Sequence, residues 1–274
     1  MKKFIGNNLK YIVLILFAIF AVAPILVMWM AALKSSSEIF KDPFALPTVI
    51  HWENLAKAWT FGRFNKYLLN TFIVTLPTVS FVVSLSCMAG YAFGKLKFAG
   101  SKLFFYIFLL GLMVPFQAFM IPLYYTVRNL GLFGTYWAMI LPETALGLSF
   151  GIFLMRAFFR GLPNELMDAA RVDGCNEFNV FLKIMLPLTG PAVSTLVVFQ
   201  FMWTWNSFLI PLLLLHEESL RPIALGLMFY SGHHRTDYGL VAAGVTLASL
   251  PVMIIFIIFQ RHFIRGLTAG VIKG

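Results

Sequence analysis

Pro163-Asn164-Glu165-Leu166-Met167-Asp168-Ala169-Ala170-Arg171-Val172-Asp173-Gly174 is the segment on which the reading of this chain turns. It is short, charged and compatible with water, yet it lies between two very apolar runs. Asn164 stands at an N-cap position behind Pro163. Glu165 and Asp168 fall in the first turn that would follow, where acids favour the helix dipole. Ala169 and Ala170 are strong helix formers, and Gly174 suits a C-cap or sharp turn. The spacing therefore predicts a short helix and a glycine turn. A second, amphipathic helix is predicted through Phe178, Phe181, Leu182 and Met185, ended by Leu186-Pro187 and Pro191. Such a helix, with a small-residue face and an acid at its start, fits a groove on a partner. The competing reading is a solvated loop lying on the membrane.

The flanks decide which kind of chain holds this segment. Of 274 residues, 60% are hydrophobic and 12% charged, about half the charge of an ordinary water-soluble domain; the mean hydropathy is +0.85. Crossing a hydrocarbon core about 30 Å thick takes roughly 20 apolar residues in a helix. Apolar runs of that order lie at about 11–33, 70–94, 103–127, 136–158, 191–215 and 239–260. A helix satisfies its own backbone hydrogen bonds in lipid. The expectation is an all-α, polytopic membrane protein with six transmembrane helices. Lys2 and Lys3 before an apolar stretch resemble a signal peptide, but 11–33 is long for one, and Ala21-Val22-Ala23 runs into Pro24, a poor cleavage context. An uncleaved first span is expected. Cys87 and Cys175 fall in different environments, which predicts neither a disulfide nor a metal site.

A net charge of +10 raises nucleic acid as a partner. The positive-inside rule accounts for it more simply. With the N-terminus in the cytoplasm, the inner segments hold 13 of the 21 basic residues: Lys2, Lys3, Lys10, Lys95, Lys97, Lys102, Arg156, Arg160, Arg171, Lys183, Arg261, Arg265 and Lys273. The outer segments hold eight, five of them in the long loop 34–69, and long loops weigh little in this rule. Both termini are expected in the cytoplasm, with segment 159–190 beside them and no nucleic acid involved.

Three parts are expected along the chain: 1–69, with the first span and a long outer loop; 70–261, the transmembrane core; and 262–274, a cytoplasmic tail. A short helix is predicted near 52–60 and a tight glycine turn at 128–135. Loop 216–238 carries His216, Glu217, Glu218, His233, His234, Arg235 and Asp237. Its irregular spacing argues against a metal site. Pro77, Pro115, Pro122, Pro142, Pro211 and Pro251 interrupt the spans. Kinked helices line cavities in transporters, and they also simply pack.

Asp168-Ala169-Ala170, then Gly174 and Leu186-Pro187, resembles the EAA loop of binding-protein-dependent ABC importer permeases. The family's first residue is usually Glu, and Asp168 keeps the charge one methylene shorter. Asp173-Gly174-Cys175 stands where the family reads Asp-Gly-Ala. Gly90-Tyr91-Ala92-Phe93 before Lys95-Leu96-Lys97-Phe98-Ala99-Gly100 is similar to the second-span exit of the sugar permeases. Met113-Val114-Pro115, Ile121-Pro122-Leu123-Tyr124 and Leu130-Gly131-Leu132 are similar to their third span. Trp205-Asn206-Ser207-Phe208 with Pro211-Leu212 resembles the fifth, and Gln260-Arg261 with Gly266 to Gly274 the end of the maltose-type second permease.

The resemblance implies a type I ABC importer permease fold and import of a carbohydrate, expected to be an oligosaccharide, by alternating access. It implies a heterodimer with a second permease subunit in membrane lipid, two ATPase subunits at the cytoplasmic face, and an extracytoplasmic sugar-binding protein. Glu165, Asp168, Ala169, Ala170, Asp173 and Gly174 would form the coupling helix docked in the ATPase. Asp168 would meet a basic residue there. Gly270, Lys273 and Gly274 would reach between the ATPases. ATP and Mg would be bound by the partner ATPase, because no G-x-x-x-x-G-K-[ST] loop occurs here. No cofactor and no catalytic residue are expected on this chain.

The sugar path is read from residue chemistry. Aromatic faces and amide or carboxylate groups suit sugars, and Gln200, Trp203, Trp205 and Asn206 in the fifth run and Glu143 in the fourth offer them. An ionisable group within a span is a functional candidate; helix-to-helix packing is the alternative for each. The rival functions are the same architecture importing a non-sugar solute, and a membrane enzyme, which would need a second catalytic group beside Glu143.

Overall fold

The computed structural model describes residues 2–60, 62–230 and 237–271. Among the described residues all regular structure is helical. In chain order the helices are α1 (Lys2–Ala32), α2 (Ser36–Lys41), α3 (Glu53–Thr60), α4 (Phe64–Lys95), α5 (Ser101–Leu110), α6 (Phe116–Asn129), α7 (Trp137–Gly161) and α8 (Glu165–Val172). Then come α9 (Glu177–Asn179), a π-helical turn (Val180–Met185), α10 (Leu186–Leu188), α11 (Gly190–Trp205), α12 (Leu209–Leu214), a 3-10 turn (Glu218–Leu220), α13 (Ile223–Tyr230) and α14 (Tyr238–Val271).

Four of the six apolar runs form unbroken helices long and apolar enough to cross a membrane: Lys10–Ala32, Phe64–Lys95, Trp137–Gly161 and Tyr238–Gln260. The other two are broken. Run 103–127 divides into α5 and α6 where Pro115, extended at φ −66° and ψ 139°, starts a new helix. The fifth run ends at Trp205, with Asn206 as its C-cap, and resumes as α12. The helical stretch Glu177–Leu188 meets Gly190–Trp205 at 76°, so these two count as a fifth crossing only if taken as one bent span. The predicted short helix near 52–60 is α3, and the turn after α6 carries Gly131 and Gly134 at positive φ. Segment 216–238 is less polar than expected, since it holds α13, with Ile223 and Leu225 buried.

The chain divides into two compact units. In the first (Met1–Lys66 with Gly226–Leu250), polar groups close the helix ends. Asn54 donates its amide to the carbonyls of Ala32 (3.2 Å) and Lys34 (2.9 Å) at the end of α1. Ser35 and Glu38 form a capping box that starts α2. Asp237 caps α14 by accepting from Gly239 and Leu240, and its Oδ1 also accepts from the Ser36 hydroxyl (3.0 Å).

The second unit (Tyr67–Leu225 with Pro251–Gly274) holds two apolar clusters along α4 and α7. One gathers Val74, Val127, Met139, Ile140, Ile210 and Leu214. The other gathers Val82, Tyr91, Met155, Phe159, Met167, Ala170, Phe181 and Met185. The π turn packs one face, Phe181 and Met185, into the second cluster, while Phe178 and Leu182 stay exposed beside an apolar cavity of about 410 Å³ against α4.

Candidate functional site

The charged segment folds as α8, held on one side and bare on the other. Met167 and Ala170, three residues apart, are buried, while Glu165, Leu166, Asp168, Ala169 and Val172 face outward, Val172 at 88% exposure. The alanine pair therefore does not form a single small-residue face: Ala170 points into the core and Ala169 away from it. Neighbouring residues on a helix lie about 100° apart, which forces this division. Asn164 occupies the N-cap position without capping through its side chain. Its carboxamide oxygen instead accepts from Lys95 Nζ at 2.7 Å.

Gly174 closes the helix by a Schellman motif. The Cys175 amide donates to the Ala170 carbonyl (3.0 Å) and the Gly174 amide to that of Arg171 (3.0 Å). Gly174 sits at φ +80° with open space around it, so the requirement is conformational rather than steric. Alanine there costs about 1–2 kcal/mol. Tryptic cleavage after Arg171 in Gly174→Ala is expected to run about 5–30-fold faster than in the parent, because proteolysis tracks the frayed population; an unchanged rate would count against this role.

Arg171 organises the charges. Its Nη1 donates to Asp168 Oδ1 (3.0 Å), and its Nε and Nη2 reach Glu177 Oε1 at 2.8 and 2.7 Å. The hydrogen bond to Glu177, with the Asp168 charge beside it, holds the guanidinium proton more tightly than usual. The Asp168 side chain is still 68% exposed. Such surface pairs are worth about 0–1 kcal/mol each, so Asp168 remains available to a cation from outside the chain. Neither Glu177 nor Arg171 was singled out in the sequence beyond its charge; their spacing of six matches no simple helical pattern.

The candidate path residues fall into two groups. Glu143 and Gln200 are buried, and their Oε1 atoms have no hydrogen-bond partner among the described residues. Gln200 donates to Thr204 Oγ1 (3.0 Å). The Gln200 oxygen lies where a side chain on Gly147 would begin, so α7 and α11 meet closely at that glycine. The buried hydroxyls Thr75, Ser86 and Thr144 also have unpartnered oxygens among the described residues, which adds to the polar interior of α4 and α7. Trp205 is buried between Phe72 (4.9 Å) and Phe201 (5.1 Å, stacked), a packing position. Trp203 is 47% exposed and packs on Phe150 and Phe199. Asn206 is exposed and donates back to the Met202 carbonyl at 2.8 Å. The five residues thus do not line one surface of this chain.

Gly270 lies near the end of α14. Lys273 and Gly274, like His233, His234 and Arg235, lie outside the described residues. Among the described residues no group of three His, Cys, Asp or Glu side chains is arranged to hold a metal ion.

Residues 83–269, which include α7, α8, the π turn and α11, match the model of the family described as "Binding-protein-dependent transport system inner membrane component". The chain belongs to this family. The diacetylchitobiose uptake system permease protein NgcG of Streptomyces coelicolor is 32% identical over 267 residues, covering 97% of this chain and 88% of that one. The arabinooligosaccharides transport system permease protein AraQ of Halalkalibacterium halodurans is 36% identical over 261 residues, 94% of this chain and 93% of that one. In fold, the chain is similar to a chain of a bacterial ABC transporter involved in alginate import, with a TM-score of 0.84 at 23% identity, covering 96% and 98% of the two chains. It is thus the multi-pass inner-membrane permease of an ABC importer, with the type I permease fold. In this family ATP hydrolysis resides in a partner subunit, so the chain is not itself an enzyme.

Proposed function

We propose that this permease imports an oligosaccharide, and that α8 is the helix through which ATP hydrolysis drives it. What carries the coupling reading is the geometry of α8: an eight-residue helix anchored by Met167 and Ala170 that leaves Glu165, Asp168 and Ala169 outward, with Asp173 and Gly174 closing its end. What supports the cargo is that NgcG and AraQ, similar over nearly the whole chain, are named for oligosaccharides.

In this reading the chain crosses the membrane six times with both termini in the cytoplasm. Residues 1–69 form the first crossing and outer loop, 70–261 the core, and 262–274 a tail in which Gly270, Lys273 and Gly274 meet the ATPases. The 13-to-8 division of basic residues supports the orientation, and α5 with α6 supplies the broken third crossing. The working assembly is a heterodimer with a second permease, two ATPase subunits that bind ATP and Mg, and an extracytoplasmic sugar-binding protein. ATPase closure pushes α8, and the spans alternate between outward-open and inward-open arrangements.

Purified complex in proteoliposomes tests the cargo. ATP hydrolysis is expected to rise with a binding protein loaded with neutral oligosaccharide. Stimulation only by a charged or non-sugar solute would replace the cargo and keep the architecture. For the path, Glu143→Ala and Asn206→Ala are each expected to raise the sugar concentration giving half-maximal uptake by about tenfold, the scale of one lost hydrogen bond to a sugar hydroxyl. Unchanged half-saturation and rate would return both residues to packing roles.

A further inference from the structure

We infer that Tyr91 and Lys95 are positioning residues through which α4 grips both ends of α8 and moves with it. The inference rests on the reading of α8 as the coupling helix. Lys95 Nζ donates to the Leu162 carbonyl (2.5 Å) and to Asn164 Oδ1 (2.7 Å), the residues that lead into α8. One turn back, the Tyr91 hydroxyl donates to Glu177 Oε2 (3.1 Å). The other oxygen of that carboxylate holds Arg171, in the last turn of α8. Tyr91 and Lys95 are four residues apart and so share one face of α4. One stripe of α4 therefore holds the entrance and the exit of the docking helix.

The apolar contacts alone would not fix α8. Only Met167 and Ala170 are buried, and two apolar contacts let a short helix roll or tilt about the Leu162–Pro163 link. Directional bonds at its two ends remove that freedom. The Tyr91 ring is itself wedged against Phe159 of α7 (5.5 Å) and Phe181 of the π turn (5.1 Å). Arg156 of α7 donates from Nε to the Phe93 carbonyl on α4 (3.1 Å). α4 and α7 are thus fastened together at the level where α8 is held. A push on α8 reaches α4 directly through Tyr91 and Lys95, as well as α7 through the chain.

The test uses the full transporter in proteoliposomes, with uptake and ATP hydrolysis measured on the same samples. Tyr91→Phe keeps the ring and removes only the hydroxyl; Lys95→Met keeps the stem and removes the charge. In the double variant, solute imported per ATP hydrolysed is expected to fall by about tenfold, the scale of a lost charge-assisted hydrogen bond. Lys95→Arg should restore most of it, and Tyr91→Phe should add little in a Glu177→Gln background. A merely structural role would lower uptake and hydrolysis together and leave their ratio unchanged; that outcome, or wild-type behaviour, overturns the inference. Asp168→Lys is run alongside. Normal uptake in it overturns the coupling reading itself, whereas lost uptake there with an unchanged ratio in the double variant overturns only the role of α4.

Discussion

Asp168→Lys is expected to abolish uptake by the assembled importer while the chain stays inserted and α8 stays folded. Asp168 lies on the outward face of α8, and its only ion pair within the described residues, to Arg171, is solvent-exposed. Removing it costs the isolated chain little. Against a basic groove on the ATPase the same change places cation against cation. Losing one partner of a desolvated charge pair costs about 2–5 kcal/mol, which weakens docking by about 30-fold to several thousand-fold. Arg171 and Glu177 keep each other, so the fold of the segment has its own support. Co-purification of the ATPase and uptake in vesicles check the result. Asp168→Glu, which lengthens the side chain by one methylene, is expected to retain function. Normal uptake with lysine would remove Asp168 from the docking surface.

The other large effect is expected at Gly90. A Cβ there would stand 2.6 Å from Met155 Cβ and 2.9 Å from the Arg156 backbone nitrogen, and one at Gly94 would stand 3.1 Å from Phe159 Cβ. The obstacle is largely the backbone of α7, which cannot rotate away. Small residues four apart let membrane helices approach closely, and packing is what holds such helices together in lipid. Gly90→Leu must part α4 from α7 at the level of the second apolar cluster. Overpacking of this kind costs about 1–3 kcal/mol and occasionally more. The expected result is a lower thermal midpoint and little recovery of assembled complex from detergent extracts. Met88→Leu on the same helix, at an exposed position, should behave as the parent. Equal midpoints for the two variants would show that the interface yields more easily than its distances imply.

The apolar runs were legible because hydropathy sums over many residues, and four of them became unbroken helices. The breaks at Pro115 and Asn206 were not, because an apolar window remains apolar across a break, and prolines such as Pro77 and Pro142 sit inside continuous helices. In the charged segment, helix phase decided what composition could not: Ala169 and Ala170 look like a matched pair, yet one is exposed and the other buried. Asn164 was rightly placed at the helix start, but its carboxamide went to Lys95, a residue 69 positions away. Partners at that distance leave no trace in local spacing. The same holds for Tyr91 and Glu177, separated by 86 positions. Trp205 and Trp203 illustrate the limit for the sugar path, since identical chemistry two residues apart came out buried and exposed.

The closed helix ends of the first unit set an order of events during biosynthesis. The carbonyls of Ala32 and Lys34 wait for Asn54, only about twenty residues behind them. Ser36 waits for Asp237, 201 positions later. At synthesis rates of about 5–20 residues per second, α1 and α2 wait roughly 10–40 s before the start of α14 arrives to complete their unit. A nascent chain stalled before residue 237 thus leaves the Ser36 hydroxyl without the carboxylate that also caps α14.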